Sequence, residues 1–464
     1  MMGTLRRMDS VDLAFAGAAE QARLLADGTV TAPELVELYL TRIADIDAEL
    51  RSYRIVLTDS AREQARRAQQ RLDAGERLPL LGVPIAIKDD ADVAGELTTY
   101  GSSAHGPAAS ADGAVVALLR AAGAIILGKT TVPEMMIWPF TETLTFGATR
   151  NPWNTAFAPG GSSGGSGAAV GAGLAAMALG SDGMGSIRVP STWCGLFGLK
   201  PQRGRVPSNP DADWGGLAVN GPMAHTVEDA ALFLDVTSGG GFVEAARHEP
   251  GRLRIALSTK LPPLVTARVG AEYLEAVEQV GVLLRELGHT VVNRDPDYPF
   301  SSTLGQALPR YFRGVHDDVA SMPHPERLDR RTRSFARIGG LISDRRMAAI
   351  RAAEPEFSKR ILSIFDAVDV VITPGTATGP SRVGQYQRKG ALSTLNAVAN
   401  RAPFNAMCNI TGQPAAVLPW GLDKDGIPTS IQLAGKPSDE ATLLSLSAQI
   451  EAARPWALRR PPTG

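Results

Sequence analysis

The sequence predicts an α/β fold built on a central, largely parallel sheet flanked by helices. Three observations lead there. Helical and strand patterns alternate through the first third of the chain. The same alternation resumes after Gly251. No internal repeat and no clear linker separates the two stretches. A length of 464 residues would suit about three domains at roughly 150 residues each, yet large α/β units are common exceptions. The expectation is one domain over 1–464, with a catalytic core at about 75–240 and a helical insertion at about 299–365.

The elements follow in chain order. Thr31-Ala-Pro-Glu34 reads as a capping box, in which Thr31 and Glu34 satisfy first-turn amides reciprocally. Leu35, Leu38, Tyr39, Ile43 and Ile46 continue it at helical spacing. Arg54–Leu57 reads as a strand, and Asp59–Leu72 as a charged surface helix stopped by Gly75. Val83–Ile87 is a short apolar strand. Lys88 stands at its carboxyl end, where ligand sites of such sheets gather. Val115–Ala122 is a helix ended by Gly123, and Ala124–Leu127 a buried strand.

Pro159–Gly198 is dense in glycine and serine, as flexible linkers are. It also holds Ala168, Ala169, Val170 and Leu174–Leu179, which can pack closely. The segment is therefore expected to form buried loops and short helices around a site. Leu253–Leu257, Thr290–Val292 and Val368–Thr373 are further strands. Ala271–Leu287 is an amphipathic helix closed by Gly288. Pro299–Arg346, richer in arginine, is expected to lie over the site as a helical insertion.

Composition narrows the function. There are 47 basic and 48 acidic residues, a net charge of −1. Nucleic-acid binding wants a basic footprint, which this balance lacks, and an anionic membrane surface gains no support either. No run of about 18 apolar residues suggests a membrane span. The opening residues show two arginines without the apolar run of a signal peptide. Two distant cysteines, Cys194 and Cys408, read as reduced thiols. A cytoplasmic protein is expected.

Three segments carry chemistry: Pro84-Ile-Ala-Ile-Lys88-Asp89, Pro159-Gly-Gly-Ser162-Ser163-Gly-Gly-Ser166 and Gly180-Ser-Asp-Gly-Met-Gly-Ser186-Ile-Arg188. A serine hydroxyl is a poor nucleophile until a base removes its proton. None of the six histidines lies near either glycine-serine segment. A neutral lysine is the other candidate base, and burial lowers a lysine pKa. Lys88, ending an apolar strand, is placed for burial. The glycine-rich turn before Ser186 can aim main-chain amides at an oxyanion, and the residues after Ser186 can begin a helix.

These segments resemble the amidase signature family, whose pattern is Gly-Gly-Ser-Ser-Gly-Gly, then Gly-Ser-Asp-x-Gly-Gly-Ser-Ile-Arg, with an upstream Pro-x-x-x-Lys-Asp. The two serines are 24 residues apart, as the family requires. The likeness continues in Cys194-Gly-Leu-Phe-Gly-Leu-Lys-Pro201, Asn409-Ile-Thr-Gly-Gln-Pro-Ala-Ala416 and Gly426-Ile-Pro-Thr-Ser-Ile-Gln432, spanning about Thr31 to Glu451. Actinobacterial amidases look most similar, and urethanases belong to the broader group.

The resemblance implies an α/β/α sandwich with a mixed, largely parallel twisted sheet. It implies a cofactor-free, metal-free hydrolysis of small-molecule amides, apolar or aryl ones among them, with esters and carbamates on the same route. Ser186 is the implied nucleophile, Ser162, in a cis peptide after Gly161, the relay, and Lys88 the base. Backbone amides among Gly183, Met184, Gly185 and Ser186 are the implied oxyanion donors. Asp182 and Arg188 are implied to support the loop. Family precedent allows a homodimer. One departure stands out: Met184 occupies a family glycine position. Either its backbone takes an ordinary φ or the loop is altered, with its side chain near the acyl pocket.

Other patterns have plainer readings. Gly123-Ala-Ile-Ile-Leu-Gly128-Lys129-Thr130 fits a phosphate-loop formula, but its middle reads as a strand, so Lys129 is expected to be structural. Asp89, Asp90 and Asp92 are too few for a calcium loop and read as a solvated or hydrogen-bonded turn. Met135, Met136, Ile137 and Trp138 are either core or pocket wall, with Phe404 and Trp193 weaker pocket candidates. Cys194 is expected to be a packed thiol. The competing functions are a glutamine-hydrolysing subunit of a tRNA amidotransferase and a non-catalytic homologue.

Overall fold

The computed structural model describes residues 9–208 and 213–462. The first eight residues, read above as lacking a leader, lie outside the described residues. An eleven-stranded sheet forms the centre. Its strands are β1 (Tyr53–Val56), β2 (Pro84–Lys88), β3 (Ile125–Thr130), β4 (Met177–Asp182), β5 (Phe197–Lys200), β6 (Val219–Ala224), β7 (Arg254–Leu257), β8 (Thr290–Asn293), β9 (Val370–Pro374), β10 (Ala415–Leu422) and β11 (Pro428–Gly435). The spatial order is β1-β3-β2-β4-β6-β5-β10-β11-β9-β7-β8. Parallel pairs join β3, β2 and β4 at one side and β9, β7 and β8 at the other. The pairs between them, and β1 at the edge, are antiparallel. The sheet is mixed and helix-flanked, the α/β architecture the sequence predicts.

The helices used below are α1 (Ala32–Leu50), α2 (Thr58–Asp73), α3 (Gly164–Gly171), α4 (Arg188–Cys194), α5 (Leu308–Ser321) and α6 (Arg330–Gly339). Local signals explain several boundaries. The Thr31–Glu34 capping box forms at the start of α1, with proline in its first turn. α2 buries Ala61, Ala65, Ala68 and Leu72, a stripe at helical spacing that leaves its charged face in water. β2 and β3 are buried at every residue. Both read as continuous apolar runs because covered parallel strands have no solvent face to alternate with.

Pro159–Gly198 differs in part from its sequence reading. The short helices are α3 and α4, but β4 and β5 run where only loops and helices were expected. The glycines of α3 bring it close to the sheet: a Cβ on Gly165 would collide with the Thr131 backbone. Across 299–365, α5 and α6 pack together. Tyr311, Val315 and Phe335 join Met135, Trp138 and Phe140 in one apolar cluster. These helices therefore rest on the segment that was an open choice between core and pocket. Among the described residues no helix is long and apolar enough to cross a membrane.

Candidate active site

β2 delivers Lys88 between β3 and β4, and the side chain is fully buried. Its Nζ donates to Ser162 Oγ at 2.8 Å and Ser181 Oγ at 2.6 Å. Asp90 Oδ2 lies 3.1 Å from the same nitrogen and accepts from Ser181 Oγ at 2.6 Å. Burial lowers the Lys88 amine below the ordinary lysine value, opposed by the carboxylates of Asp90 and Asp182. Such an amine loses its proton more readily than an exposed lysine does.

Ser162 follows a cis peptide bond from Gly161. A Cβ on Gly161 would meet the Trp138 carbonyl, so the chain passes there only as glycine. The Ser163 amide donates to the Ser186 carbonyl at 3.2 Å, tying the two serine segments together. Ser162 and Ser186 line the same cavity of about 520 Å³. Lys88 and Ser162 are thus in direct contact. Ser186 shares their cavity, and among the described residues its Oγ makes no hydrogen bond.

The turn before Ser186 is held from beneath. Arg188 pairs with Asp182 through two hydrogen bonds, of 2.9 and 3.0 Å, both side chains being fully buried. It also reaches the Asn405 carbonyl, Gln432 Oε1 and Asn409 Oδ1 at 2.9, 2.8 and 2.6 Å. Burial opposes ionisation of Asp182, yet the Arg188 guanidinium holds its carboxyl well below the usual range. These two residues support the loop, as expected. Asp182 also accepts from the Gly185 amide at 2.6 Å and the Ile187 amide at 3.2 Å. That corrects one predicted oxyanion donor: the Gly185 N–H is already occupied. Among the described residues the amides of Gly183, Met184 and Ser186 have no such partner. Gly185 has φ 123°, and a Cβ there would sit 2.9 Å from Asn405 Cβ, so this position requires glycine. Met184 is not among the residues of positive φ and, like Trp214, packs against the apolar cluster that holds Met135 and Trp138. The ordinary-φ alternative is the one realised.

The predicted pocket residues divide. Met135 and Met136, both left-handed at φ 51° and 56°, line the cavity. Ile137, Trp138 and Phe404 do not. The Ile137 carbonyl accepts from Tyr311 Oη at 2.8 Å, and Trp138 stacks on Phe140 at 5.5 Å, filling core. Phe404 borders a separate hollow of about 30 Å³ with Tyr298 and Met407. Trp193 is core as well. Tyr100, Trp214, Asp318 and Met322 are wall residues that sequence reading missed. Ser181, inside a quoted segment, was missed too, as was the pairing with Lys88 of Asp90, one residue beyond another.

The readings of Lys129 and Cys194 hold. Lys129 sits on β3 against Asp89 at 3.0 Å, so the phosphate-loop formula covers a strand. Cys194 is a packed thiol, its pKa pushed up by burial. Among the described residues no group of three or more His, Cys, Asp or Glu is gathered to hold a metal ion.

Comparisons with known proteins show the family. The model of the Amidase family matches residues 34–444. A Mycobacterium tuberculosis protein provisionally named amidase AmiB2 is 65% identical over 460 residues, covering 98% of this chain and 99% of that one. The 6-aminohexanoate-cyclic-dimer hydrolase of Paenarthrobacter ureafaciens is 31% identical over 495 residues, with 98% of each chain covered. Among solved structures, 6-aminohexanoate cyclic dimer hydrolase with its substrate superposes with a TM-score of 0.87 at 28% identity, covering 97% of this chain and 99% of that one. A bacterial aryl acylamidase of the amidase signature family gives 0.85 at 26%, covering 96% and 98%. With the family model spanning nearly the whole chain and the signature segments converging on one cavity, the chain belongs to the amidase signature family, hydrolases that act on the C–N bonds of amides.

Proposed function

We propose that the chain hydrolyses amides through an acyl-enzyme on Ser186, with Ser162 as relay and neutral Lys88 as base. Ser186 Oγ attacks the carbonyl carbon while its proton passes to Ser162 and the Ser162 proton passes to Lys88 Nζ. The amides of Gly183, Met184 and Ser186 stabilise the carbonyl oxygen as it gains charge. The C–N bond then breaks, the leaving nitrogen takes a proton back through Ser162, and the amine departs. Water, deprotonated along the same path, attacks the ester; the bond between the acyl carbon and Ser186 Oγ breaks, Oγ recovers its proton through Ser162, and the acid leaves. The observation that carries this reading is the buried 2.8 Å contact between Lys88 and Ser162.

The apolar part of the wall, Met135, Met136, Tyr100 and Met322, suits aliphatic or aryl substituents. Esters and carbamates form the same acyl-enzyme type and are expected as secondary substrates. The glutaminase-subunit alternative is not favoured, because the relatives are named as amidases and a cyclic-dimer hydrolase. Replacing Ser186 tests the assignment. Ser186→Ala is expected to reduce hydrolysis of an aliphatic amide roughly 10⁴-fold or more. Undiminished turnover in that variant contradicts it.

A further inference from the structure

One wall of the cavity is left unused by the chemistry above. Asp90, Asp92, Asp317 and Asp318 line it, and no lysine, arginine or histidine is among the described lining residues. Three of these carboxylates have local answers. Asp90 pairs with Lys88. Asp92 accepts from Thr98 Oγ1 at 2.6 Å. Asp317 pairs with Arg313 at 2.7 Å on the surface. Asp318 differs. Its Oδ2 accepts from Trp214 Nε1 at 2.6 Å, while Oδ1 has no partner and no cation pairs with it among the described residues. Burial, against the Trp214 hydrogen bond and with the help of Asp317 and Asp90, pushes its carboxyl up to about 7.

Trp214 fixes where this carboxylate stands. A Cβ built on Gly183 would lie 3.4 Å from indole Cε3. The same ring therefore borders the oxyanion loop with one edge and holds Asp318 with its nitrogen. Met135, Met136 and Met322 supply apolar wall in the same cavity. An unanswered acid, one indole away from the reacting position and beside apolar surface, calls for a particular substrate shape.

We infer that Asp318 is a specificity-determining residue that receives a protonated amine carried by the substrate, so that preferred substrates are amides with an apolar stem ending in an ammonium group. This rests on Ser186 being the nucleophile of the cavity. An ammonium N–H supplies the missing hydrogen bond to Oδ1 and balances a charge that no side chain balances. An uncharged substrate end leaves a partly buried acid unpaired.

The test compares kcat/KM for 6-aminohexanamide with that for heptanamide, its uncharged isostere, in the full chain and in Asp318→Asn. Asparagine keeps an acceptor for Trp214 Nε1 at nearly equal volume. The wild type is expected to favour the ammonium amide about tenfold or more, mainly through KM. In Asp318→Asn that ratio is expected to fall to near one. The ratio also has a signature in pH. Only the ionised carboxylate holds the cation, so the wild-type ratio rises as pH climbs through about 7, the Asp318 range, and the variant's does not. Asp317 on the same helix, Asp90 after β2, and Tyr100 face this group and remain in both proteins. Taking a ratio cancels the Lys88 dependence common to both substrates. A wild-type preference for heptanamide, or a preference that persists unchanged in Asp318→Asn, overturns the inference. Hydrolysis of both amides that survives Ser186→Ala overturns the reading of the site, and the inference with it.

Discussion

Lys88 and Lys129 lie one register position apart on neighbouring strands, where Ile87 pairs with Lys129 and Lys88 with Thr130. Both are fully buried, each has an aspartate in reach, and burial lowers both amines against the pull of that aspartate. Their partners differ. Lys129 Nζ donates to the Leu97 carbonyl at 2.8 Å and Thr98 Oγ1 at 2.7 Å, and pairs with Asp89 at 3.0 Å. The Thr98 proton is turned toward Asp92. Lys129 thus sees only acceptors, and three ammonium protons have three places to go. Lys88 sees two hydroxyls and a carboxylate. The Ser181 proton is committed to Asp90, whereas the Ser162 hydroxyl has no other acceptor among the described residues. Burial alone does not make a base. A neighbour able to surrender a proton does.

The contrast can be broken by substitution. Lys88→Met is expected to lower kcat/KM about 10³-fold while the protein stays folded, since it removes the proton acceptor. Lys129→Met is expected to do the reverse. It leaves Asp89 buried with only Arg54 opposite, at 2.8 Å, and lowers stability by about 3 kcal/mol in urea unfolding, with turnover per folded molecule kept. A folded but inactive Lys129→Met would erase the distinction. Asp90→Asn sharpens it with a smaller effect. Lys88 must be neutral to accept a proton, so activity falls as pH drops through its pKa. Asp90 raises that pKa, and its loss lowers it further. The acid limb of kcat/KM is expected to move to lower pH, with a reduced plateau from a weaker base. A limb that moves upward, or does not move, contradicts the pairing.

Much of this site was legible because motif spacing places Lys88, Ser162 and Ser186 without any knowledge of packing. The fold was legible where a helix kept a wet face, as in α2, or where a run ended at glycine. β4 was missed because Met177-Ala-Leu-Gly-Ser-Asp182 is covered on both faces and lacks the β-branched residues that mark strands. Ser181 was missed for a related reason: which residues of β4 face Lys88 depends on strand register, which a motif does not carry. Phe404 and Trp138 show the limit of judging pocket walls by residue type, since an aromatic side chain suits core as well as cavity. Asp318 and Trp214 reach the cavity from α5 and from a distant loop, 104 positions apart, and no spacing links them to Ser186.

The most direct measurement is the rate at which a serine-directed phosphonate labels Ser186, followed against pH in the wild type and in Lys88→Met. The expected result is labelling that quickens as pH rises in the wild type and is slow with that dependence gone in the variant. Equal rates with the same pH dependence in both would show that Ser186 does not draw on Lys88.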